Sequence, residues 1–334
     1  MINLKKNLLI LSDAGTNPGK LASRRLRVIA LLPYLKEKLN PLVIPLPRSF
    51  FKLIKIYKLI IWADLLLIQK ELPSKLILYL LNLTNKKIIY DFDDAVYIRH
   101  LSHNLTYKKS SKLLGRFRYI CKCADLVIAG NEILEKKSIE LGAKKTAVIP
   151  TAVPIPEKIN KKFKDQIYIG WIGQKTNLPY LESLEPIFIK LHKNNFNYQL
   201  IVMSDKEPKF KKFKKFTFAL WSVKNERDFL STIDIGIMPL PNNEFTRGKC
   251  AYKALQYMSF KVPVIASDVG INKKWIAKSG LIAKDQSSFY RAIKKLISDS
   301  ELRNQMGNYG YTIIKEKFSR NAIGKKLTTL IDSE

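Results

Sequence analysis

Cysteine is scarce in this sequence, and the positions of its three cysteines exclude two kinds of stabilising site. Cys121, Cys123 and Cys250 are too few and too scattered for a disulfide framework or a zinc site. The spacing of Cys121 and Cys123 also differs from that of a redox pair. We therefore expect all three to be reduced core residues of a cytosolic protein.

Long hydrophobic runs are missing as well. The longest candidate, LILYLLNL at 76–83, falls well short of the roughly 18 apolar residues of a membrane span and fits a buried helix better. Near the amino terminus only the short run Leu8–Leu11 precedes polar residues, so no signal-peptide pattern is visible. The sequence also lacks short-period repeats and low-complexity tracts. These absences predict a folded protein without a membrane span.

Acidic residues are few: 28 Asp and Glu oppose 59 Lys and Arg, which gives a net charge of +31. Such an excess favours a polyanionic partner, which includes nucleic acid, an anionic membrane and phosphorylated substrates. The cations are spread almost equally over 1–156 and 157–334, whereas nucleic-acid binders more often confine them to one patch. A nucleic-acid-binding protein therefore stays open only as the less favoured alternative, and we expect no nucleic-acid partner.

Short apolar runs alternate with helical patterns along the whole chain, and each run is nearly continuous, as in parallel strands covered on both faces. The predicted strands are 7–12, 42–46, 64–69, 87–93, 125–130, 146–151, 167–173, 198–204, 216–222, 234–240, 263–267 and 280–283. The pattern predicts an α/β protein with two doubly wound parallel sheets. A proline-containing, then charged stretch at 151–166 reads as the linker between them.

The division that follows is a first domain at 1–155 and a second domain at 156–334. In open α/β sheets, ligands bind beyond the carboxyl ends of the strands. Two such domains facing each other place a ligand in the cleft between them.

Five segments, in order along nearly the whole chain, carry a resemblance to a known family. They are YDFDDAVY (90–97), ADLVIAGNEILEKKSIELGAKKTAVIPTAV (124–153), IGWIGQKTNLPYLESL (169–184), FALWSVKNERDFLSTIDIGIMPLP (218–241) and EFTRGKCAYKALQYMSFKVPVIAS (244–267). Together they resemble the GT-B glycosyltransferases, and family 4 in particular. The resemblance implies two facing Rossmann-like domains and a retaining enzyme that moves a sugar from a nucleotide-sugar to a glycan or lipid-linked acceptor. It also implies cell-envelope polysaccharide or lipopolysaccharide synthesis, with no cofactor and no essential metal.

The segment 244–267 predicts the site of the donor diphosphate. It reads as a glycine turn with two cations at the start of a helix of about three turns, and free N–H groups at helix starts favour anions. By the resemblance, Arg247 and Lys249 bind the phosphates and Lys253 lies one turn further on. The family's two glutamates, eight positions apart, are replaced here by Gly248 and Gln256, so Gln256 is left to bind the ribose. A non-catalytic GT-B-like subunit is the alternative that this replacement keeps open.

Three more residues of the second half are donor-site candidates. Gly173 ends a predicted strand, where the absence of a side chain lets backbone approach the donor. Lys175 is the nearest cation to it and a candidate second phosphate ligand. Trp221 ends another strand where the family lodges the nucleobase, although a core position is equally compatible with the sequence.

The motif DFDD at 91–94 supplies the catalytic candidates. An Asp-x-Asp pair holds a divalent ion in the other large glycosyltransferase fold, but here it lies in the first domain, so we expect no metal. The resemblance implies that Asp93 and Asp94 face the cleft and contact the transferred sugar. Helix capping and an ion pair with Arg99 are the structural alternatives for these carboxylates.

Acceptor-binding candidates lie in two stretches of the first domain. The first strand–helix turn contributes Gly15, Ser23 and Arg24, and His100 lies in a predicted loop after DFDD.

The stretch 48–62 interleaves lysines with aromatic and aliphatic residues, which indicates either a core-facing amphipathic helix or contact with an anionic membrane. We expect a cytoplasmic location, with peripheral contact at the inner face of the cell membrane.

Overall fold

The computed structural model describes residues 5–12, 22–101, 106–159 and 166–334 of the 334-residue chain. These residues form two six-stranded parallel sheets with helices on both faces. The first half contains β1 (Lys6–Ser12), α1 (Leu32–Lys38), β2 (Leu39–Pro45), α2 (Phe50–Lys55), α3 (Tyr57–Trp62), β3 (Leu65–Gln69), α4 (Lys75–Asn82), β4 (Lys87–Phe92), β5 (Ile98–Leu101), β6 (Thr106–Lys109), α5 (Ser111–Cys123), β7 (Leu126–Ala129), α6 (Glu132–Glu140) and β8 (Thr146–Val148). A π-helical turn, Arg24–Val28, and a 3₁₀ turn, Ile29–Leu31, precede α1.

The second half repeats the alternation. It contains β9 (Ile167–Ile172), α7 (Leu178–Glu182), α8 (Glu185–Lys193), β10 (Tyr198–Ser204), β11 (Phe216–Leu220), α9 (Val223–Thr232), β12 (Ile235–Met238), α10 (Glu244–Arg247), α11 (Tyr252–Met258), β13 (Val264–Ser267), α12 (Asn272–Ile276), β14 (Gly280–Ala283), α13 (Gln286–Ser298), α14 (Ser300–Ile313) and α15 (Arg320–Asp332). Single helical turns lie at Lys175–Asn177, Ala277–Ser279 and Ile314–Phe318.

The strand order is β2-β1-β3-β4-β7-β8 in the first sheet and β11-β10-β9-β12-β13-β14 in the second. All twelve predicted strands are present, with ends displaced by at most three residues. Their apolar runs are buried on both faces; every residue of β3, for example, is buried. The antiparallel hairpin β5–β6 was missed, because its polar residues (IRHL and TYKK) predict a loop rather than a strand.

The carboxyl-terminal segment returns to the first half of the chain. Val153 donates a backbone hydrogen bond to the Phe318 carbonyl (N–O 2.9 Å), just before α15 begins. Ile323, Leu327 and Ile331 of α15 then join the core cluster of β1 and α1. At Gly324 a Cβ would lie 2.4 Å from the Tyr34 ring, so only glycine allows this close approach. The helix therefore ties the two halves together.

Two of the predicted helices differ from expectation. The stretch 48–62 is not one helix but α2 and α3, which are separated at Ile56, where backbone dihedrals leave the helical region. The run 76–83 does form a helix, α4, but only one face is buried, by Ile77, Leu78 and Leu81. In the described residues, no helix is both long enough and apolar enough to cross a membrane.

The cysteines are unpaired. Cys121 and Cys250 are buried as expected, whereas Cys123 is half-buried.

Candidate active site

The carboxyl ends of the first sheet face a loop of the second half. Strands β3, β4 and β7 are followed directly by Lys70, Asp93 and Gly130. The Cys250 thiol donates to the Asp93 carbonyl oxygen (Sγ–O 3.1 Å). A Cβ at Gly130 would lie 2.5 Å from this sulfur, so only glycine fits at the seam. The two halves are thus in contact where open α/β sheets place their ligands.

The side chains of Asp93 and Asp94 share one cation, Lys70. Its Nζ lies 3.0 Å from Asp93 Oδ1 and 2.9 Å from Asp94 Oδ2. The alternatives considered for these carboxylates, helix capping and an ion pair with Arg99, are not what the structure shows. Asp94 is the more accessible of the two, with a side chain 34% exposed against 14% for Asp93. Asp94 is therefore the one better placed to contact a ligand.

Asp93 is held in the ionised state. Burial alone raises the pKa of Asp93, but the positive charges of Lys70 and Arg27 outweigh burial and bring the pKa below its ordinary value. Conversely, burial lowers the pKa of Lys70, and the two aspartates more than reverse that effect. A group ionised in this way accepts hydrogen bonds and stabilises positive charge, but it does not serve as a general acid near neutral pH.

A hydrogen-bonded chain fixes Asp93 from the other side. Ser12 donates to Gln69 (3.0 Å), Gln69 donates to Ser23 (2.8 Å), and Ser23 donates to Asp93 Oδ1 (2.9 Å). Ser12 and Gln69 end adjacent strands, so the sheet itself positions the chain. Ser23, predicted as an acceptor ligand, is thereby placed beside the acidic pair.

Beneath this chain lies a buried ion pair. Both terminal oxygens of Asp91 accept from the guanidinium of Arg27, with Nε 2.9 Å from Oδ2. Arg27 also donates to the Ile149 carbonyl (2.9 Å) and to Thr151 (3.2 Å). Asp91 raises the pKa of Arg27 further than burial lowers it, which keeps the pair charged. The pair fixes the end of β4 against the chain that follows β8.

Two strained residues lie at the cleft. Lys70 (φ 63°) and Ala251 (φ 46°) both adopt the left-handed backbone region, which is costly for residues with a side chain. Tyr90 donates from its hydroxyl to the Lys70 carbonyl (3.1 Å) and helps to hold that conformation. Strained backbone of this kind clusters at functional sites, and these two positions flank the acidic pair and the facing loop.

The prediction that the R-G-K stretch begins a three-turn helix was wrong. Arg247 is the last residue of the short α10, and the next helix, α11, starts only at Tyr252 and has seven residues. Gly248 to Ala251 form the intervening turn. The reason is local: Asn243 and Thr246 cap α10 reciprocally, which gives the chain an earlier helix start than the pattern indicated.

Gly248 is a contact between the two halves. Its carbonyl accepts from Asn131 (3.0 Å), which also donates to Cys250 (3.2 Å). A Cβ at Gly248 would lie 3.0 Å from Ala95 and 3.1 Å from Leu134. The close packing of the halves therefore accounts for the absence of a glutamate side chain at this position.

The predicted phosphate ligands differ in their surroundings. Arg247 is exposed and donates from Nε to Asn242 (2.7 Å). Lys249 is half-buried, with Nζ 4.9 Å from the centre of the Phe245 ring. Lys253 is also half-buried and donates to Gln256 (3.0 Å). Burial lowers the pKa of Lys253, and the charges of Arg25 and Lys249 lower it further. The structure thus brings Lys249 and Lys253 together.

Gln256 has a partner that sequence reasoning missed. Its side chain is 1% exposed and donates to Glu226 (2.9 Å). The other carboxylate oxygen of Glu226 accepts from the indole of Trp221 (2.9 Å). The half-buried Trp221 therefore has both a polar partner and core contacts. Glu226 places a carboxylate next to the position where the family carries one.

Gly173 and Lys175 lie at the end of β9. A Cβ at Gly173 would lie 2.4 Å from the Trp171 ring, so the glycine makes room for that indole. The exposed Lys175 donates its backbone N–H to Asp205 (2.5 Å). No contact links Lys175 to the cluster around Lys253 in the described part of the chain.

The remaining acceptor candidates are only partly described. Arg24 is half-buried in the π-helical turn next to Ser23. Gly15 lies outside the described residues. His100 belongs to β5, and its side chain is not among those described.

The functional residues that the sequence did not reveal lie far apart along the chain. Lys70 directly follows β3, Asn131 lies two residues after β7, and Glu226 lies inside α9. A polar residue close after a buried strand is the signal that marks Lys70 and Asn131. Across the described ranges, no three His, Cys, Asp or Glu side chains come together as a possible metal site.

Comparison with known proteins fits this geometry. Residues 164–299, which include all six strands of the second sheet, match the family described as group 1 glycosyl transferases. No curated protein matches the chain. Among solved structures, HepE of Anabaena, crystallised with UDP and glucose, is 13% identical with a TM-score of 0.70 over 99% of this chain and 100% of its own.

Two further solved structures are similar over their full lengths. The sucrose-phosphate synthase of Thermosynechococcus elongatus is 14% identical, with a TM-score of 0.71 over 99% of both chains. A glycosyltransferase of Rickettsia africae is 14% identical, with a TM-score of 0.72 over 98% of both chains. At such identities the structures establish the shared fold, and the family match identifies the second half as a glycosyl transferase sequence. The predictions of a GT-B fold and of a glycosyltransferase are confirmed.

Proposed function

We propose that this chain, a glycosyltransferase of the GT-B fold, is a family 4 enzyme that transfers a sugar with retention from a nucleotide-sugar to a glycan or lipid-linked acceptor. Cell-envelope polysaccharide or lipopolysaccharide synthesis is the proposed context. The observation that carries the proposal is the arrangement where the two halves meet: the acidic pair Asp93 and Asp94 of the first half faces the cationic loop around Cys250 of the second. During sugar transfer, positive charge develops on the sugar and negative charge on the leaving diphosphate. The acidic pair suits the first charge and the cationic loop suits the second.

The cations of the second half suit the diphosphate. The charge of Lys249 contributes to lowering the pKa of Lys253, and the repulsion between the two is relieved when an anion binds between them. Arg247 is exposed beside the same turn. Removing these charges is expected to weaken binding of the leaving group and to slow its departure.

The nucleoside is proposed to bind along β11 and α9. The half-buried Trp221 offers a ring for the base, and Glu226 offers a carboxylate for the ribose hydroxyls. Gln256 then holds Glu226 in place instead of binding the ribose itself. Because HepE binds UDP, a uridine nucleotide is the first donor to test.

On the first sheet, the acidic pair is proposed to act without a metal. Lys70 already supplies a cation to both carboxylates, with Nζ 3.0 Å from Asp93 Oδ1 and 2.9 Å from Asp94 Oδ2. Asp94 is proposed to stabilise the positive charge that develops on the sugar ring. Asp93, which is held by Ser23 and Lys70, is proposed to position the sugar.

The donor proposal predicts nucleotide-dependent thermal stabilisation. Among nucleoside diphosphates and nucleotide-sugars, one nucleotide is expected to raise the melting temperature, because a ligand at 100 times its Kd adds about 2.7 kcal/mol of stability. Lys249→Ala is expected to abolish most of that shift. The matched control is Lys295→Ala, an exposed lysine of α13, which leaves the shift unchanged. No shift with any nucleotide would instead favour a non-catalytic subunit.

A second proposal concerns a membrane-facing surface on the first sheet. We call it the apolar patch and define it by the exposed side chains of Phe50, Phe51, Ile54, Tyr57, Ile61, Leu76, Tyr79 and Leu83. It lies on α2, α3 and α4, which cover the same face of the sheet through Leu53, Ile60 and Leu78. Phe51 is 76% exposed, and the exposed Lys52, Lys55 and Lys58 lie among these residues. Aromatic residues beside lysines suit an anionic lipid surface.

This surface predicts binding to anionic vesicles. Neutralising Lys52, Lys55 and Lys58 together is expected to weaken binding about 100-fold, since each cation near the surface contributes about 1 kcal/mol. Sedimentation with vesicles of phosphatidylglycerol and phosphatidylcholine measures the effect. Replacing the exposed Lys284, Lys294 and Lys295 of the second half is the charge-matched control. Equal losses in both triple variants would show only non-specific attraction.

A further inference from the structure

Three half-buried side chains, Arg25, Tyr252 and Arg320, each have one buried polar atom without a partner. The Nε atoms of Arg25 and Arg320 and the hydroxyl of Tyr252 are shielded from water, and none has a hydrogen-bond partner in the described part of the chain. Unsatisfied buried donors are costly, and each one requires a reason. Three of them in one place indicate a group that is missing from the protein itself.

The three residues come from three separate segments. Arg25 belongs to the π-helical turn of the first half, Tyr252 is the first residue of α11, and Arg320 is the first residue of α15. Arg25 and Arg320 are near enough to Tyr252 to affect its pKa. Burial and Glu226 raise the pKa of Tyr252, while the two arginines lower it. Only the tertiary structure brings these segments together.

The local charge is unbalanced. We define the basic cluster as Arg25, Lys249, Lys253 and Arg320, whose charges act on Tyr252 or on Lys253 and of which Lys253 lies 5.7 Å from the centre of the Tyr252 ring. Glu226 is the carboxylate that acts on both Tyr252 and Lys253, and its two oxygens already accept from Trp221 and Gln256. The four cations of the basic cluster are therefore opposed by one carboxylate, Glu226, whose two oxygens already accept hydrogen bonds. Such an excess in a half-buried place is relieved by a bound anion.

The position of Arg25 distinguishes this anion from the donor diphosphate. Arg25 lies in the first half, two residues after Ser23, which donates to Asp93. The donor proposal uses only residues of the second half. Arginine forks and a tyrosine hydroxyl suit the oxygens of a phosphoryl group.

We propose that Arg25, Arg320 and Tyr252 bind a phosphoryl group carried by the acceptor, in a subsite separate from that of the donor diphosphate. The acceptor is accordingly a phosphorylated molecule, either a soluble sugar phosphate or a lipid-linked phosphate. This inference rests on the proposed function, because it assumes a donor nucleotide bound to the second half.

Calorimetry with inorganic phosphate and pyrophosphate tests the subsite in protein already saturated with the stabilising nucleotide. Phosphate or pyrophosphate is expected to bind the loaded protein. Arg25→Gln with Arg320→Gln is expected to weaken that binding at least about tenfold, because charged hydrogen bonds are lost, with little change in nucleotide affinity. Tyr252→Phe removes only a hydroxyl and tests the site without altering charge. Lys249→Ala is expected to show the reverse pattern, in which nucleotide binding is lost first.

Three outcomes overturn the proposal: no phosphate binding in the loaded protein, full competition between pyrophosphate and the nucleotide, or equal loss of nucleotide affinity in the double arginine variant. The last two would make the basic cluster part of the donor site. Failure of the nucleotide to bind at all would refute the proposed function instead, and is seen before phosphate is added. A hexose phosphate and an isoprenyl diphosphate, compared as competitors of phosphate, distinguish the two sources.

Discussion

Replacing Arg27 by alanine is expected to lower the free energy of unfolding of the first half by about 3–5 kcal/mol, the usual cost of removing one partner of a buried ion pair. The substitution leaves Asp91 buried and uncompensated, and it removes the hydrogen bonds to Ile149 and Thr151. Hydrogen exchange of peptides from β1, β3 and β4 measures this free energy separately from that of the second sheet.

The loss depends on pH in a defined direction. Burial raises the pKa of Asp91, and the charge of Arg27 is the strongest influence that opposes it. Without Arg27, the folded-state pKa of Asp91 lies well above its unfolded value of roughly 3.9. A carboxyl whose pKa is higher in the folded state lowers the free energy of unfolding at every pH above its unfolded-state pKa. This loss grows with pH until the pH exceeds the folded-state pKa. Urea midpoints of the variant and wild type are therefore expected to converge as pH falls from 8 towards roughly 4.

The double variant Arg27→Met with Asp91→Leu supplies the control. Replacing both partners of a buried ion pair with apolar residues is often nearly neutral, so most of the lost stability is expected to return, without the pH dependence. If Arg27→Ala were as stable as wild type at pH 8, the ion pair would not be what fixes β4 against the chain after β8.

Asp94→Asn is expected to lower the rate of sugar transfer by about 100-fold or more, while binding of the donor nucleotide changes little. The amide keeps the shape of the carboxylate but lacks the negative charge that stabilises the developing positive charge of the sugar. Release of nucleoside diphosphate from the stabilising donor, with water as the acceptor, measures the rate without knowledge of the acceptor. The thermal shift with the same nucleotide measures binding.

Lys70→Met separates positioning from charge stabilisation. It leaves both carboxylates in place but removes the cation that holds them, so the pKa of Asp93 is expected to rise because burial is then less strongly opposed. The activity of Lys70→Met is expected to fall at low pH, where Asp93 becomes protonated, and to recover as pH rises.

Unchanged release of nucleoside diphosphate in Asp94→Asn would show that Asp94 does not contact the reacting sugar.

Local pattern accounts for how well the strands were predicted. A strand buried on both faces must be apolar at nearly every residue, and runs such as YQLIVMS and GLIA meet that requirement without reference to the rest of the chain. The hairpin β5–β6 does not, because its residues are polar and its pairing depends on neighbours. The start of α11 was misplaced for a similar reason, since capping at Asn243 decided where the preceding helix formed.

Some features of the candidate site likewise follow from local sequence, and others depend on the tertiary structure. The sequence by itself determined the two βαβ halves, the cationic turn at 247–249 and the acidic residues after β4, because strand patterns place strand ends, and strand ends place ligands. Only the tertiary structure decided that Lys70 pairs with both aspartates, that Gln256 donates to Glu226, and that Arg25 and Arg320 come near enough to Tyr252 to act on it electrostatically. Those contacts join residues from different strands and helices, and their distances are set by how whole sheets pack, a property that no local stretch of sequence encodes.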